Sequence, residues 1–235
     1  MNENSAFLDE SESRHCTRVL RMKEGKLLHF VDGKGGKYMG TLIKADSNRC
    51  EIGILEKEEE FEKRPYFYHL AIAPTKNNDR FEWALEKATE IGVDMITPIA
   101  CDHSERRKIR MDRLEKIILS AVKQSIKAYL PVLNPLTDFK DFIRSKHQEK
   151  EKYIAHCLEQ DRKELIKTGG KENSFLILIG PEGDFSAQEI KAALEHDFIP
   201  VSLGSSRLRT ETAGVVATQI ISDVISLKKQ KREHY

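Results

Sequence analysis

The first quarter of the chain consists of apolar runs separated by short polar turns. Three such runs follow Gly25, at residues 26–31, 38–44 and 50–55. The turns between them are rich in Gly, Asp, Ser and Asn, as is typical of β-hairpins. This part of the chain therefore predicts a small antiparallel β-barrel.

A helix is predicted ahead of these strands. Asp9 and Glu12 have the spacing of a helix N-terminus, and we expect the helix to end near Met22. Its inward face should carry three apolar side chains: Cys16, Val19 and Leu20. Its outer face should carry three arginines on one stripe: Arg14, Arg18 and Arg21. Such a stripe suits phosphate groups, and it suits a solvated helix face equally well.

From Tyr66 onward, short apolar runs alternate with segments of helical period. Strands are predicted at 67–73, 95–100, 152–157, 175–179 and 198–203. This alternation predicts a mostly parallel sheet joined by right-handed crossovers. The charge-rich segment 56–65 makes a reasonable boundary, so we expect two domains, residues 1–65 and 66–235.

Two of the predicted strands end in loops that combine glycine with charge. Strand 175–179 is followed by the loop 180–184, and strand 198–203 by the loop 204–209. Open α/β sheets bind ligands at the carboxyl ends of their strands, where loop amides and helix N-termini converge. The loops can also be read as tight strand-to-helix turns with no other role.

Helices are predicted after both loops. Ser186 and Glu189 have capping-box spacing, and the helix they open should pack Ile190, Ala193 and Leu194 on one face. The last helix should begin near Thr210.

Composition and cysteine usage limit the class of protein. The chain has 235 residues, a formal net charge of +1 and 33% charged residues, and no apolar run approaches the ~20 residues of a membrane span. Its N-terminus is polar and acidic, without the features of a signal peptide, which favours a cytoplasmic protein. The four cysteines are scattered and include no Cys-x-x-Cys pair, so we expect neither disulfides nor a metal site.

Positive charge is concentrated locally. Residues 101–130 carry eight Lys or Arg against four acids. This patch could follow a phosphate backbone, and a solvated helix face is the alternative.

Four motifs together resemble one family. IGPEGDF (179–185), VSLGSSRLRTETA (201–213), KATEIGV (87–93) and HCTRVLRMKEG (15–25) are similar to the RsmE family of ribosomal RNA methyltransferases. The resemblance implies methylation of N3 of a uridine, uridine 1498, in 16S rRNA of the small ribosomal subunit. It also implies an N-terminal PUA-like barrel, a C-terminal SPOUT α/β domain with a trefoil knot, and a homodimer.

The same resemblance implies S-adenosyl-L-methionine as the cofactor, held between three loops. The positions that match the binding loops are His156, Leu158, Ile179, Gly180, Pro181, Gly183, Leu203, Gly204, Leu208 and Thr210. Asp184 stands where the family motif usually has a second glycine, and Asp tolerates positive φ better than most residues. Lys127 stands where an arginine is common.

Removal of the uridine N3 proton calls for a cation and a proton acceptor. Arg209 is the candidate cation, and Glu211 or Glu182 the candidate acceptor. The alternative for Arg209 is a structural pair with Glu211. Candidate RNA contacts are Arg14, Arg18, Arg21, Arg106, Arg107 and Lys127. Rival functions are a nucleotide-binding α/β enzyme and a non-catalytic RNA-binding assembly factor.

Overall fold

A computed structural model describes residues 4–158 and 162–233, with side chains described as far as residue 228. The chain divides into two compact units. The first comprises Met1–Lys63 and Ile126–Tyr129, and the second Arg64–Ser125 and Leu130–Tyr235. The insertion Ile126–Tyr129 is attached to the first unit by the backbone N–H of Gly35, which donates to the Ala128 carbonyl at 2.8 Å.

The first unit is built on a four-stranded antiparallel sheet in the order β1-β4-β3-β2. Its elements are β1 (Ser5–Phe7), α1 (Glu10–Arg14), β2 (Leu27–Val31), β3 (Lys37–Lys44) and β4 (Glu51–Glu58). The three predicted strands are confirmed, and β1 was not predicted. The small core contains Cys16, Leu42, Cys50 and Ile52, each at most 3% exposed.

The predicted N-terminal helix is shorter than expected. Asp9 caps α1 by accepting from the Glu12 N–H at 2.8 Å, as predicted, but a π-helical turn, His15–Val19, follows directly. The wider turn changes the angular spacing of successive side chains. Cys16 is buried as expected, whereas Val19 is 66% exposed.

Two further expectations for this helix are wrong for the same reason. Leu20, predicted to face inward, is 58% exposed. Arg21 lies beyond the last helical turn at φ 50°. The arginines therefore do not form the predicted helical stripe.

The second unit contains an eight-stranded sheet in which every neighbouring pair of described strands is parallel. Its elements are β5 (Phe67–Ile72), α2 (Asn78–Ile91), β6 (Met95–Ala100), α3 (Met111–Gln124), β7 (Val132–Leu133), β8 (Thr137–Asp138), α4 (Phe139–Arg144), β9 (Glu151–Ala155), β10 (Lys163–Glu164), α5 (Leu165–Thr168), β11 (Ser174–Ile179), α6 (Ala187–Glu195), β12 (Ile199–Ser202) and α7 (Thr210–Glu233). The strand order is β10-β12-β9-β11-β5-β6-β7, with β8 also paired to β6. The predicted parallel α/β architecture is confirmed.

Both faces of the sheet are buried, as the continuous apolar strands predict. In β11, Phe175 and Ile177 pack into one core with α2, α3 and α7, while Leu176 and Leu178 pack into a second core with α4 and α6. This alternation is the two-residue period of a strand. No described helix is long and apolar enough to span a membrane.

The helix boundaries next to the sheet follow local chemistry. The reciprocal hydrogen bonds of Ser186 and Glu189 form the predicted capping box at the start of α6. Gly92 ends α2 at φ 131°, a conformation that favours glycine. Leu194, predicted to pack with Ile190, is instead 40% exposed.

We expect Leu85→Ala to lower the free energy of unfolding by about 2–5 kcal/mol, because it empties a fully buried site between α2 and the sheet. Urea denaturation measures the loss. Leu194→Ala is the matched control and should cost about 1 kcal/mol or less. Equal losses in the two variants would contradict the assigned core.

Candidate active site

A cleft lies at the carboxyl edge of the parallel sheet. The last residues of β9 and β11, Ala155 and Ile179, are paired side by side at its floor. The main cavity has a volume of about 290 Å³, and a smaller cavity of about 70 Å³ adjoins it. Ala155, Cys157, Leu208 and Ala213 line both.

Most of the predicted site residues line this cleft. The larger cavity contains Ile179, Gly180, Pro181, Glu182, Leu208, Arg209 and Thr210. The smaller one contains His156, Leu203, Gly204 and Leu208. Leu158, Gly183 and Glu211 do not line either cavity. Segments distant in sequence are thus brought to one place by the parallel strand ends.

Asp184 ties two of these loops together. Its Oδ2 accepts from the backbone N–H of Cys157 at 2.7 Å, and its Oδ1 accepts from the N–H of Phe185 at 2.8 Å. The residue has φ 63°, a conformation that glycine adopts freely and that Asp tolerates better than most residues. The hydrogen bond to Cys157 joins residues 27 positions apart in the sequence, so no local sequence pattern predicts it.

His156 is buried beside the smaller cavity. The residue is 4% exposed, and neither ring nitrogen has a hydrogen-bond partner within the described part of the chain. Burial lowers the pKa of His156 below its usual value, against the opposing attraction of Asp184. The neighbouring Arg162 donates to the His156 carbonyl oxygen. Two unsatisfied ring nitrogens beside a cavity are available to a bound ligand.

Two glycines of the cleft have different roles. At Gly180, an added Cβ would lie 3.0 Å from the Phe185 ring and 3.2 Å from its backbone nitrogen, so side chains are excluded by packing. At Gly204 there is open space, but φ is 132°, a conformation that L side chains rarely adopt. Gly180 is therefore a packing requirement, whereas Gly204 leaves open space at the cavity wall.

Loops after β5 and β6 support the same cleft, which the sequence did not reveal. Glu182 accepts from the backbone N–H of Lys76 at 2.9 Å. The His103 Nδ1 is 3.0 Å from the carbonyl oxygens of both Gly183 and Asp184. The buried Glu189 accepts from the Asp102 N–H at 2.8 Å. These bonds hold the 180–184 loop in place.

The three candidate catalytic residues differ in their surroundings. The exposed Arg209 lines the cleft, and its guanidinium makes no hydrogen bond or ion pair with any described residue. Glu182 also lines the cleft and has one oxygen bonded to the Lys76 N–H. Glu211 is 7% exposed, and its Oε1 lies 3.7 Å from the Nε of Arg80. The alternative pairing of Arg209 with Glu211 is therefore not formed.

The candidate RNA contacts also divide into engaged and available residues. Arg106 donates to the carbonyl oxygens of Thr75 and Lys76, and Arg107 to that of Cys101 at 2.8 Å. The four others lie in the first unit and have different environments. Arg14 pairs with Glu10, Arg18 and Arg21 are exposed, and Lys127 is half-buried.

Among the described residues, no group of three or more His, Cys, Asp or Glu side chains could hold a metal ion.

Solved structures similar to this chain include two methyltransferases. One is described as a "probable rRNA-methyltransferase" from Porphyromonas gingivalis, with 41% identity, a TM-score of 0.87 and 96% of each chain covered. Another is a ribosomal RNA small subunit methyltransferase E from Neisseria gonorrhoeae bound to S-adenosyl methionine, with 28% identity and a TM-score of 0.83, covering 94% of this chain and 92% of that one.

Family models match both parts of the chain. The model described as "RNA methyltransferase domain" matches residues 62–222, and the "RNA methyltransferase PUA domain" matches residues 8–55, so the fold and its matched domains define an RNA methyltransferase. A ribosomal RNA small subunit methyltransferase E from Mesomycoplasma hyopneumoniae is 31% identical over 79% of this chain and 82% of that relative. The chain belongs to the ribosomal RNA small subunit methyltransferase E family, and the RsmE resemblance is confirmed.

The buried His156 predicts a pH-dependent stability. Because its pKa is lower in the folded protein, the unfolded chain binds more protons between the two pKa values, and folding stability falls as the pH drops through that window. His156→Gln removes this contribution. When the pH is lowered from about 7.5 to about 5.5, the unfolding free energy of the wild type should therefore fall by more than that of the variant.

Urea denaturation of both proteins at the two pH values measures the difference. His147 and the carboxyl groups are common to both proteins, so their titration largely cancels. A pH-independent difference would contradict a neutral, buried His156.

Proposed function

We propose that this protein transfers a methyl group from S-adenosyl-L-methionine to N3 of a uridine, uridine 1498, in 16S rRNA of the small ribosomal subunit. Family membership supports rRNA methylation. The observation that carries the proposal is the convergence of the motif loops at one cleft, which contains His156 and Arg209, whose side chains have no hydrogen-bond partner among the described residues.

The cleft fits the methyl donor. The ring nitrogens of His156, which have no partner among the described residues, offer hydrogen bonds to a polar ligand, and the open space beside Gly204 allows a flat ring system to approach the backbone closely. Ile179, Leu203 and Leu208 supply apolar contacts. The predicted contacts Leu158 and Gly183 act at most indirectly, since they lie outside both cavities.

The bound cofactor supplies an electrophilic methyl group on a sulfonium. The protein contributes orientation, which is worth roughly 7–11 kcal/mol in the best intramolecular cases. Arg209 stabilises the anion that develops on the uracil carbonyls when the N3 proton leaves, since its guanidinium is available in the cleft.

Of the two candidate acceptors, Glu182 is better placed to take the N3 proton, because it lines the cleft with one carboxylate oxygen uncommitted among the described hydrogen bonds. Glu211 is a positioning residue at the start of α7, held close to Arg80. Its burial and its place outside the cavity support this assignment.

RNA recognition is assigned to the basic side chains. Arg18 and Arg21 are exposed and contact phosphates, with Arg14 and Lys127 as flanking positive charge. Arg106 and Arg107 do so more weakly, because both already donate to loop carbonyls.

Several features of the fold belong to the same proposal. The first domain, residues 1–65, closes as a PUA-like barrel, and the match to a PUA domain supports this. The second, residues 66–235, is a SPOUT domain whose C-terminal segment forms a trefoil knot, and the protein acts in the cytoplasm as a homodimer. The parallel sheet and the placement of α7 directly after a cofactor loop agree with that arrangement.

The proposal is tested by transfer of labelled methyl to small ribosomal subunits and to naked rRNA, followed by nucleoside mass spectrometry. We expect 3-methyluridine. Binding of the cofactor without transfer would show that the RNA target is wrong. Absence of both would favour a non-catalytic assembly factor.

Arg209→Ala should lower the single-turnover methylation rate by about a hundredfold or more, because the developing anion loses its cation. Arg207→Ala removes a neighbouring arginine of the same cavity and should change the rate by less than about fivefold. A near wild-type rate for Arg209→Ala would remove that residue from the chemical step.

Arg18→Gln should weaken RNA binding and reduce the slope of log Kd against log salt by about one, as expected for one lost phosphate contact. Filter binding at several salt concentrations gives the slope. Lys191→Gln, at an 80% exposed side chain on α6, serves as the control and should leave the slope unchanged. An unaltered slope in the Arg18 variant would assign RNA binding elsewhere.

A further inference from the structure

A second, larger cavity lies at the opposite edge of the parallel sheet. Its volume is about 740 Å³, within the range of small-molecule sites. The first residues of three strands line it: Phe67 of β5, Met95 of β6 and Ser174 of β11. The cleft described above is at the carboxyl ends of the same strands, so the two cavities are separated by the length of the sheet.

A continuous hydrogen-bonded chain forms one wall of this cavity. Asn134 Nδ2 donates to Thr97 Oγ1 at 2.8 Å, Thr97 Oγ1 is 2.7 Å from His69 Nε2, and His69 Nδ1 is 2.7 Å from Glu149 Oε1. All four residues line the cavity. His69 and Thr97 are 3% and 2% exposed, and the Glu149 side chain is 7% exposed.

The charged end of this chain is the carboxylate of Glu149. Asn134 donates to the Thr97 hydroxyl, which is the hydrogen-bond partner of His69 Nε2. His69 Nδ1 is the partner of the Glu149 carboxylate. Burial raises the pKa of Glu149, but the hydrogen bonds to His69 and to its own backbone N–H, together with the attraction of His69 and His147, leave that pKa below its usual value. The chain thus ends in a buried carboxylate.

A buried carboxylate is costly unless a donor or cation compensates it. His69 contacts Oε1, the backbone N–H of Glu149 is a second donor to the carboxylate, and no described side chain is bonded to Oε2. The rim carries Asp141 and Lys146, both exposed, so the lining holds two carboxylates and one ammonium, with the imidazoles of His69 and His147 beside Glu149. Phe67, Met95, Pro135 and Phe142 provide an apolar surface beside the charge.

We propose that this cavity is a binding site for a small organic cation with an aromatic or other flat apolar body. The cationic group pairs with Glu149, and the body lies against the apolar wall. Nothing in the methyl-transfer site uses these residues, so the proposal stands or falls separately from the proposed function.

Benzamidine is the probe for this site, with benzyl alcohol and benzoate as neutral and anionic analogues. Ligand-observed NMR titrations with the full chain should show benzamidine binding at least about tenfold more tightly than either analogue. Glu149→Gln should abolish this preference, and Asp141→Asn, the same change at the exposed rim, should alter it by less than about threefold. Saturating S-adenosyl-L-methionine should leave benzamidine binding unchanged.

A second measurement keeps the test independent of the folding of Glu149→Gln. In the wild-type protein, benzamidine should shift the NMR signals of the His69 ring and the Met95 methyl group. The proposal would be overturned if benzamidine bound without shifting either signal, or if all three probes bound with equal affinity. It would also be overturned if a folded Glu149→Gln protein kept the preference for benzamidine, or if S-adenosyl-L-methionine displaced benzamidine.

Discussion

Every described strand of the large sheet runs in the same direction, and this constraint determines where function can be placed. Because the strands are parallel, the loops after β5, β6, β9, β11 and β12 all leave at one edge. The backbone there has lost its strand partners and needs others. Asp184 and Glu189 supply them, each accepting from the backbone of a loop far away in sequence. The parallel strands thus bring these loops to one edge of the sheet, and the carboxylates of Asp184 and Glu189 hold them together there.

The polar groups at this edge fall into two classes. Glu189 is buried with both oxygens bonded to backbone N–H groups, which is the arrangement of a structural residue. His156 is equally buried, yet its ring nitrogens have no partner among the described residues. Leaving a buried polar group unsatisfied costs roughly 1–3 kcal/mol of folding free energy. A ligand that forms hydrogen bonds with the His156 ring would recover that free energy on binding. The available guanidinium of Arg209 lies in the same cleft.

The sequence predicted the features that depend on neighbouring residues. The capping box of Ser186 and Glu189, the end of α2 at Gly92 and the glycine loops after β11 and β12 are encoded within a few positions. Site residues were carried over through motif resemblance, and neither spacing nor periodicity could have identified a methyl donor.

The features that sequence reasoning missed depend on distant contacts or on an unusual helix. Asp102 and His103 form hydrogen bonds with residues more than 80 positions later in the sequence. Hydrophobic periodicity describes near neighbours only and cannot predict such contacts. The prediction that Val19 and Leu20 face inward assumed a constant helical period of 3.6 residues. The π-helical turn after α1 breaks that period, and both side chains are exposed. The sequence did not reveal the large cavity at the amino edge of the sheet either, since its lining comes from β5, β6, β8, α4, β11 and the loops next to them.

The central claim is that the cleft around His156 holds the methyl donor. The most direct test is a titration of S-adenosyl-L-methionine into protein with ¹⁵N-labelled histidine side chains, followed by NMR. The account predicts that the ring signals of His156 shift in proportion to saturation, while those of the exposed His29 in the first unit stay unchanged. Saturable binding that leaves the His156 signals unaltered would contradict it.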